Sequence, residues 1–240
     1  MTYKESTHKK LLDIYKSRGA KTALTLANDM LCSRKYADDI EFKRELHGEL
    51  CETVLEIIIR AFCDKHPEKT KGWILSKGLI LKDRAKTDGE FVTELDLTLF
   101  TRACVFLFEC KSYGGAKKLI EEGKLVRNGS VVCDVYRQSL LHKRTIEPWI
   151  EDFVLGNTTP VVQMCMFDFS NGGFIDDARS RAAKLELPCL DVSSVLSYIS
   201  GFSDSVWDLE ILAEAVKQLE KVSDGLRAYH LQYVRSISHK

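Results

Sequence analysis

Two apolar runs lie back to back in the segment ELDLTLFTRACVFLFECKSY, Glu94 to Tyr113, with room between them for only a tight turn. The first run alternates. Leu95, Leu97 and Leu99 point one way and Glu94, Asp96 and Thr98 the other, which is the period of a strand. The second, ACVFLFECK, is continuously apolar, as in a strand buried on both faces. An antiparallel hairpin satisfies both patterns and commits the chain to a sheet. It also sets carboxylates on apolar strands, where they need either solvent or a partner.

The register decides which carboxylates meet. A two-residue turn at Thr101–Arg102 pairs residues whose numbers sum to 203, so Asp96 faces Leu107 and Glu94 faces Glu109. Side chains directly across share a face, so Glu94, Asp96, Glu109 and Lys111 project together, with Asp96 and Glu109 diagonal neighbours about 7–8 Å apart. A four-residue turn keeps this parity, whereas a three-residue turn separates the carboxylates. Two carboxylates on one face suit Mg²⁺ or Mn²⁺, hard ions that take oxygen ligands and keep several waters. Bound metal activates water and neutralises charge on a phosphate. Lys111, two residues past Glu109, is placed to orient or deprotonate the attacking water. The set suits metal-dependent phosphodiester hydrolysis. The same residues also read as a solvated hairpin end with a weak surface ion pair, Glu94 pairing with Lys111 or Arg102.

Upstream, THKKLLDIYKS and AKTALTLANDMLCS have helical spacing and are separated by Gly19. A long helix follows from about Asp39 to Lys65, with an apolar stripe of Leu50, Val54, Ile57, Ile58, Ala61 and Phe62, and Pro67 ends it. GWILSKGLIL reads as a strand, DRAKTDG as a polar loop, KSYGGAKK as a loop able to contact a phosphate backbone, and GKLVRNGSVVCDV as a hairpin around an Asn-Gly turn. YRQSLLHKRTIEPWIEDFV reads as a helix, TPVVQMCMFDFS as an apolar strand, and LPCLDVSSVLSYIS as a short strand running into a helix. The tail from Asp204 to Val234 is helical. Strands framed by helices in this order predict a mixed sheet flanked by helices.

Composition narrows the function classes. Lys+Arg and Asp+Glu both number 35, so the net charge of +0 offers no long-range attraction to nucleic acid. The eight cysteines are scattered, without a C-x-x-C pair, which argues against zinc and for small buried hydrophobes in a reducing compartment. The N-terminal MTYKESTHKK has no apolar h-region, and no apolar run approaches the ~18 residues of a membrane span. The expectation is a soluble cytoplasmic protein with no membrane partner. His47, His66, His230 and His239 are expected at the surface, and Phe106, Phe108, Phe167 and Phe169 in the core.

ELDLTLFTRACVFLFECKSYGG resembles the core of the nuclease-related domain (NERD) family of the PD-(D/E)xK nuclease superfamily, whose members show an E-x-D strand, a short turn and an apolar strand ending in E-x-K. GELCETVLEIII resembles that family's first helix, with Gly48, Glu52, Leu55 and Ile59 at the matching spacing, and DVYRQSLLHKRTIEPW resembles the later helix that carries a glutamine. The resemblance spans roughly residues 45–200. It implies Asp96 and Glu109 as metal ligands, the carbonyl of Cys110 as a third, Lys111 as catalytic lysine and Glu52 as a water-mediated ligand, with Glu49 the alternative. Gln138 would position the site or contact DNA, and His142 stands where related nucleases often have tyrosine. The usual Asn-Pro ahead of that glutamine is Val-Tyr here, and the first forty residues lie outside the pattern.

The expectation is thus an α/β, restriction-endonuclease-like mixed β-sheet core (45–203) flanked by helices, with an α-helical N-terminal extension (1–44) and a C-terminal helical segment (204–240). The expected function is Mg²⁺- or Mn²⁺-dependent cleavage of phosphodiester bonds, in DNA. A catalytically inactive module binding nucleic acid or protein stands as the alternative. The N-terminal helices would serve a protein partner or a homo-oligomer.

Overall fold

A computed structural model describes residues 3–33, 40–84, 92–111, 117–119, 123–153, 160–169 and 184–238. Its elements are α1 (Tyr3–Arg18), α2 (Ala20–Cys32), α3 (Ile40–Lys65), β1 (Ile74–Lys82), β2 (Val92–Phe100), β3 (Cys104–Cys110), β4 (Lys117–Leu119), β5 (Lys124–Arg127), β6 (Ser130–Asp134), α4 (Val135–Glu151), β7 (Val161–Phe167), β8 (Cys189–Leu190), α5 (Val195–Ser200) and α6 (Leu209–Ser238). A five-stranded mixed sheet has the order β1-β2-β3-β7-β8, and a second sheet the order β4-β5-β6. This is a mixed α/β fold with helices flanking the sheet and a helical N-terminal region, the class expected from the pattern of elements. The sequence reading missed β4, which falls in a segment read as loop, because three residues are too few to show a period. The DRAKTDG loop from Ala85 onward, most of KSYGGAKK, and His239 lie outside the described residues.

The chain divides into two compact units. The first contains Met1–Lys71, Cys110–Val135 and Met166–Gly201. Here α1, α2 and α3 pack on one another. Leu11, Ala23, Ala27 and Leu31 supply the small and branched contacts between them. The single stripe expected on α3 is too narrow: Leu50, Cys51 and every residue from Thr53 to Ile59 are buried, so this helix is enclosed on nearly all sides. Charge enters it only where paired. The buried carboxylate of Glu56 lies 2.8 Å from His8 Nε2 of α1 and accepts a 2.8 Å bond from Arg60 Nε one turn on. Burial raises the Glu56 carboxyl, but the bonds from His8 and Arg60 outweigh it and hold the group below the usual carboxylate range. Tyr15 donates to Asp64 and makes a second tie between α1 and α3, and burial with this partner pushes its phenol up to about 12.

The second unit contains Gly72–Glu109, Tyr136–Cys165 and Phe202–Lys240. β1 and β2 pair antiparallel from Ile74↔Phe100 to Lys82↔Val92. An uncovered edge would template aggregation. α6 lies along β1, with Ser223 Oγ accepting from Ile80 N at 2.8 Å and Ser76 Oγ donating to Glu220 at 2.6 Å. The core joins Phe100, Val105 and Leu107 to Ile146 and Ile150 of α4 and to Leu212, Val216 and Leu219 of α6. Burying each such side chain contributes about 1.5–3 kcal/mol. The second half of α4 is pinned further: Arg144 pairs with buried Asp83 at 3.0 Å, Trp149 Nε1 donates to Lys82 O, and Arg84 stacks over the Trp149 ring at 3.5 Å.

All eight cysteines are free, and five of them are buried, in keeping with the sequence reading. Burial pushes the Cys104 thiol up to about 12 and Cys165 well above its usual value, so both are unreactive. Among the described residues no helix is long and apolar enough to cross a membrane.

Candidate functional site

The turn between β2 and β3 corrects the expected register. Thr101 N donates to Cys104 O at 3.0 Å, and the Thr101 hydroxyl accepts from Cys104 N at 3.0 Å. The central residues are therefore Arg102 and Ala103, one step along from the expected Thr101–Arg102. The carbonyl of Arg102 accepts from Val206 N and Trp207 N, which ties this tip to the segment before α6. A threonine that brackets its own turn with both backbone and side chain wins over the tighter alternative.

The observed pairs, from Phe100↔Val105 to Leu97↔Phe108, sum to 205 rather than 203. Continued by one residue, that register sets Asp96 opposite Glu109 rather than Leu107. Parity is unchanged, so both carboxylates still share a face. They are now direct cross-strand neighbours, whose Cβ atoms stand about 4.5–5.5 Å apart, rather than diagonal ones. Glu109 is 2 % exposed and Asp96 is half-buried.

α4 closes over this face. His142 Nδ1 lies 3.1 Å from Glu109 Oε2, with side chains 6 % and 2 % exposed. The buried face of α4 runs Val135, Ser139, His142, Thr145, Ile146, Ile150, at helical spacing. Its first half is polar and its second apolar. The hydroxyls of Ser139 and Thr145, and that of Thr98 two residues past Asp96, are buried with no hydrogen-bond partner. Gln138, half-buried, precedes His142 by one turn on the same helix.

Two residues near this site differ from expectation. Glu94 is not paired with Lys111 or Arg102. Its Oε2 meets His230 Nε2 of α6 at 3.2 Å, and His230, expected at the surface, is 9 % exposed. An isolated histidine in a long helix gives no sequence sign of the strand it will meet. Gly78, overlooked in GWILSKGLIL, sits in β1 between Lys77↔Leu97 and Leu79↔Leu95, opposite Asp96, with φ +63°. A Cβ there would stand 3.0 Å from Glu94 Oε1. A mid-strand glycine is the signal that marks such a position.

The remaining predicted residues belong to the first unit. Cys110 is buried and ends β3, and Lys111 follows it, half-buried, with its N–H donating to Phe167 O at 2.9 Å. The Cys51 thiol of α3 lies 3.6 Å from the same carbonyl, so the turn of α3 carrying Glu52 comes to the backbone at Lys111. Glu52 is half-buried. Glu49, the alternative helix carboxylate, has its Oε1 3.4 Å from the Thr53 hydroxyl. Asp168, 3 % exposed and next to Phe167, escaped the sequence reading. The signal was present: VVQMCMFD repeats the pattern of CVFLFE, an acid directly after an apolar strand.

A hard divalent ion fits the donors in the second unit: two carboxylates on adjacent strands, set face to face, repel each other unless a cation lies between them. Among the described residues no group of three or more His, Cys, Asp and Glu side chains could hold a metal ion. A pair of carboxylates is nonetheless the usual protein share for Mg²⁺, which keeps several waters.

No family model matches the sequence, and no curated protein does. Two solved structures are similar. One is the crystal structure of protein VC1899 from Vibrio cholerae, at 15% identity and TM-score 0.43, covering 83% of this chain and 50% of that one. The other is the protein of unknown function AF1548, at 11% identity and TM-score 0.32, covering 70% of this chain and 96% of that one. The chain thus spans half the length of VC1899.

Proposed function

We propose that this chain is a metal-dependent nuclease that hydrolyses phosphodiester bonds, with DNA as substrate. The observation that carries the reading is the register that sets Asp96 against Glu109, with Glu109 buried and held at His142. A structural role alone leaves two facing carboxylates on the same side of a sheet unexplained. The resemblance of Glu94–Tyr113 to the nuclease-related domain supports the same conclusion.

In this reading Asp96 and Glu109 hold Mg²⁺ or Mn²⁺, with the Cys110 carbonyl beside them in the chain. Bound there, the ion supplies charge neutralisation at the phosphate and lowers the pKa of water. Lys111 orients the attacking water and offsets charge that develops on the phosphate. Glu52 holds a water of the site, and Gln138 contacts the DNA.

The test is cleavage of plasmid and single-stranded DNA in Mg²⁺, Mn²⁺ or EDTA. Wild type is expected to cut only with metal, and Asp96→Ala and Lys111→Ala to fall by about 10²–10⁴-fold. Wild type that binds metal and DNA without cutting would select the inactive interaction module instead. Variants that cut as well as wild type would remove the site assignment.

A further inference from the structure

We infer that His142 is a positioning residue for Glu109: its buried imidazole holds one carboxylate oxygen so that the group facing Asp96 is preset to receive a divalent cation. This rests on the metal-site reading of Asp96 and Glu109. Three observations point to it. Nδ1 lies 3.1 Å from Oε2 with both side chains almost wholly buried, so the contact fixes the carboxylate where solvent cannot. The apolar half of α4 packs with Ile146 and Ile150, which shows that this helix needs no polar residue to dock. Its polar half buries His142 between Ser139 and Thr145, whose hydroxyls have no partner, an arrangement that costs stability rather than adding it.

His142 therefore acts through Glu109. Groups that orient a ligand in this way set its direction and its basicity, and their loss weakens metal binding by about 10–100-fold. Gln138, one turn earlier on α4, then inherits its place from the same anchored helix.

The experiment titrates Mn²⁺ into the full chain by calorimetry and follows melting temperature, for wild type, His142→Phe, His142→Asn and Glu109→Ala. His142→Phe is expected to bind Mn²⁺ about 10–100-fold more weakly while melting no lower than wild type. His142→Asn is expected to bind within a few-fold of wild type, because its amide Nδ2 stands where Nδ1 stood. A His142→Phe variant with wild-type affinity overturns the proposal, and so does an Asn variant as weak as Phe. Glu109→Ala separates the two readings. If it keeps wild-type affinity, or if wild type binds no Mn²⁺, the metal site itself is wrong. If it loses affinity while His142→Phe does not, only the positioning role falls. Should the Phe variant not fold, His142→Gln replaces it: the amide moves by one methylene and affinity is expected to drop where Asn preserves it.

Discussion

Each unit buries a glutamate against a histidine, and the two pairs have opposite surroundings. Glu56 meets His8 at 2.8 Å and Arg60 at 2.8 Å, two cationic partners from two helices. Glu109 meets His142 at 3.1 Å and faces Asp96, a second carboxylate. The first arrangement is balanced within the fold and clamps α1 to α3. The second gathers negative charge on one face. A buried acid matched by cations holds a structure together, and one matched by another acid is set for a cation from outside.

The largest expected effect separates the pairs by activity. Glu109→Ala should lower metal-dependent cleavage by about 10³-fold or more, as loss of preorganised electrostatic stabilisation does. Glu56→Ala should leave the turnover of folded protein unchanged in the same assay. Equal losses would erase the distinction.

Next is metal itself. Mg²⁺ at a hundred times its dissociation constant should raise unfolding free energy by about 2.7 kcal/mol over EDTA. Denaturant titration should show that gain in wild type and in Glu56→Gln, and its absence in Asp96→Ala.

Without metal the order should reverse. Glu56→Gln should cost about 1–3 kcal/mol by removing a charged acceptor from two buried bonds. Asp96→Asn should be neutral or stabilising, since it relieves facing like charges. The two should also differ in acid. A carboxyl held below its ordinary value of 4.5 stabilises the fold above that pH and loses the contribution as pH falls through the lower, folded value. The urea midpoint of wild type should therefore fall between neutral pH and pH below 4.5, and Glu56→Gln should show a flatter acid limb.

The smallest effect expected is at Gly78. Alanine at φ +63° costs about 1–2 kcal/mol and crowds Glu94 Oε1. Melting should show the loss. Cleavage should fall too only if the backbone opposite Asp96 helps to place it, which would tie the strand distortion to the site.

Much of the fold was legible in the sequence because period survives without context. The alternation at Leu95–Leu99, the apolar run at Cys104–Cys110 and the helical spacing through α4 each report on local geometry. The shared face of Asp96 and Glu109 was legible for the same reason, since parity is a property of counting. Their exact pairing was not. It turned on whether Thr101 would bracket Arg102–Ala103, a contest between two turns that differ by one residue. Asp168 was legible and overlooked.

What the sequence determined by itself is the set of strands and helices and the side of the hairpin on which its acids fall, because both follow from backbone periodicity. What only the tertiary structure decided is which distant helix each acid meets: Glu94 with His230, 136 residues away, Glu56 with His8, 48 residues away, and Glu109 with His142 of α4. Those meetings depend on how helices dock against a sheet or on one another, and docking is settled by side-chain shape and burial across the whole unit rather than by any local repeat.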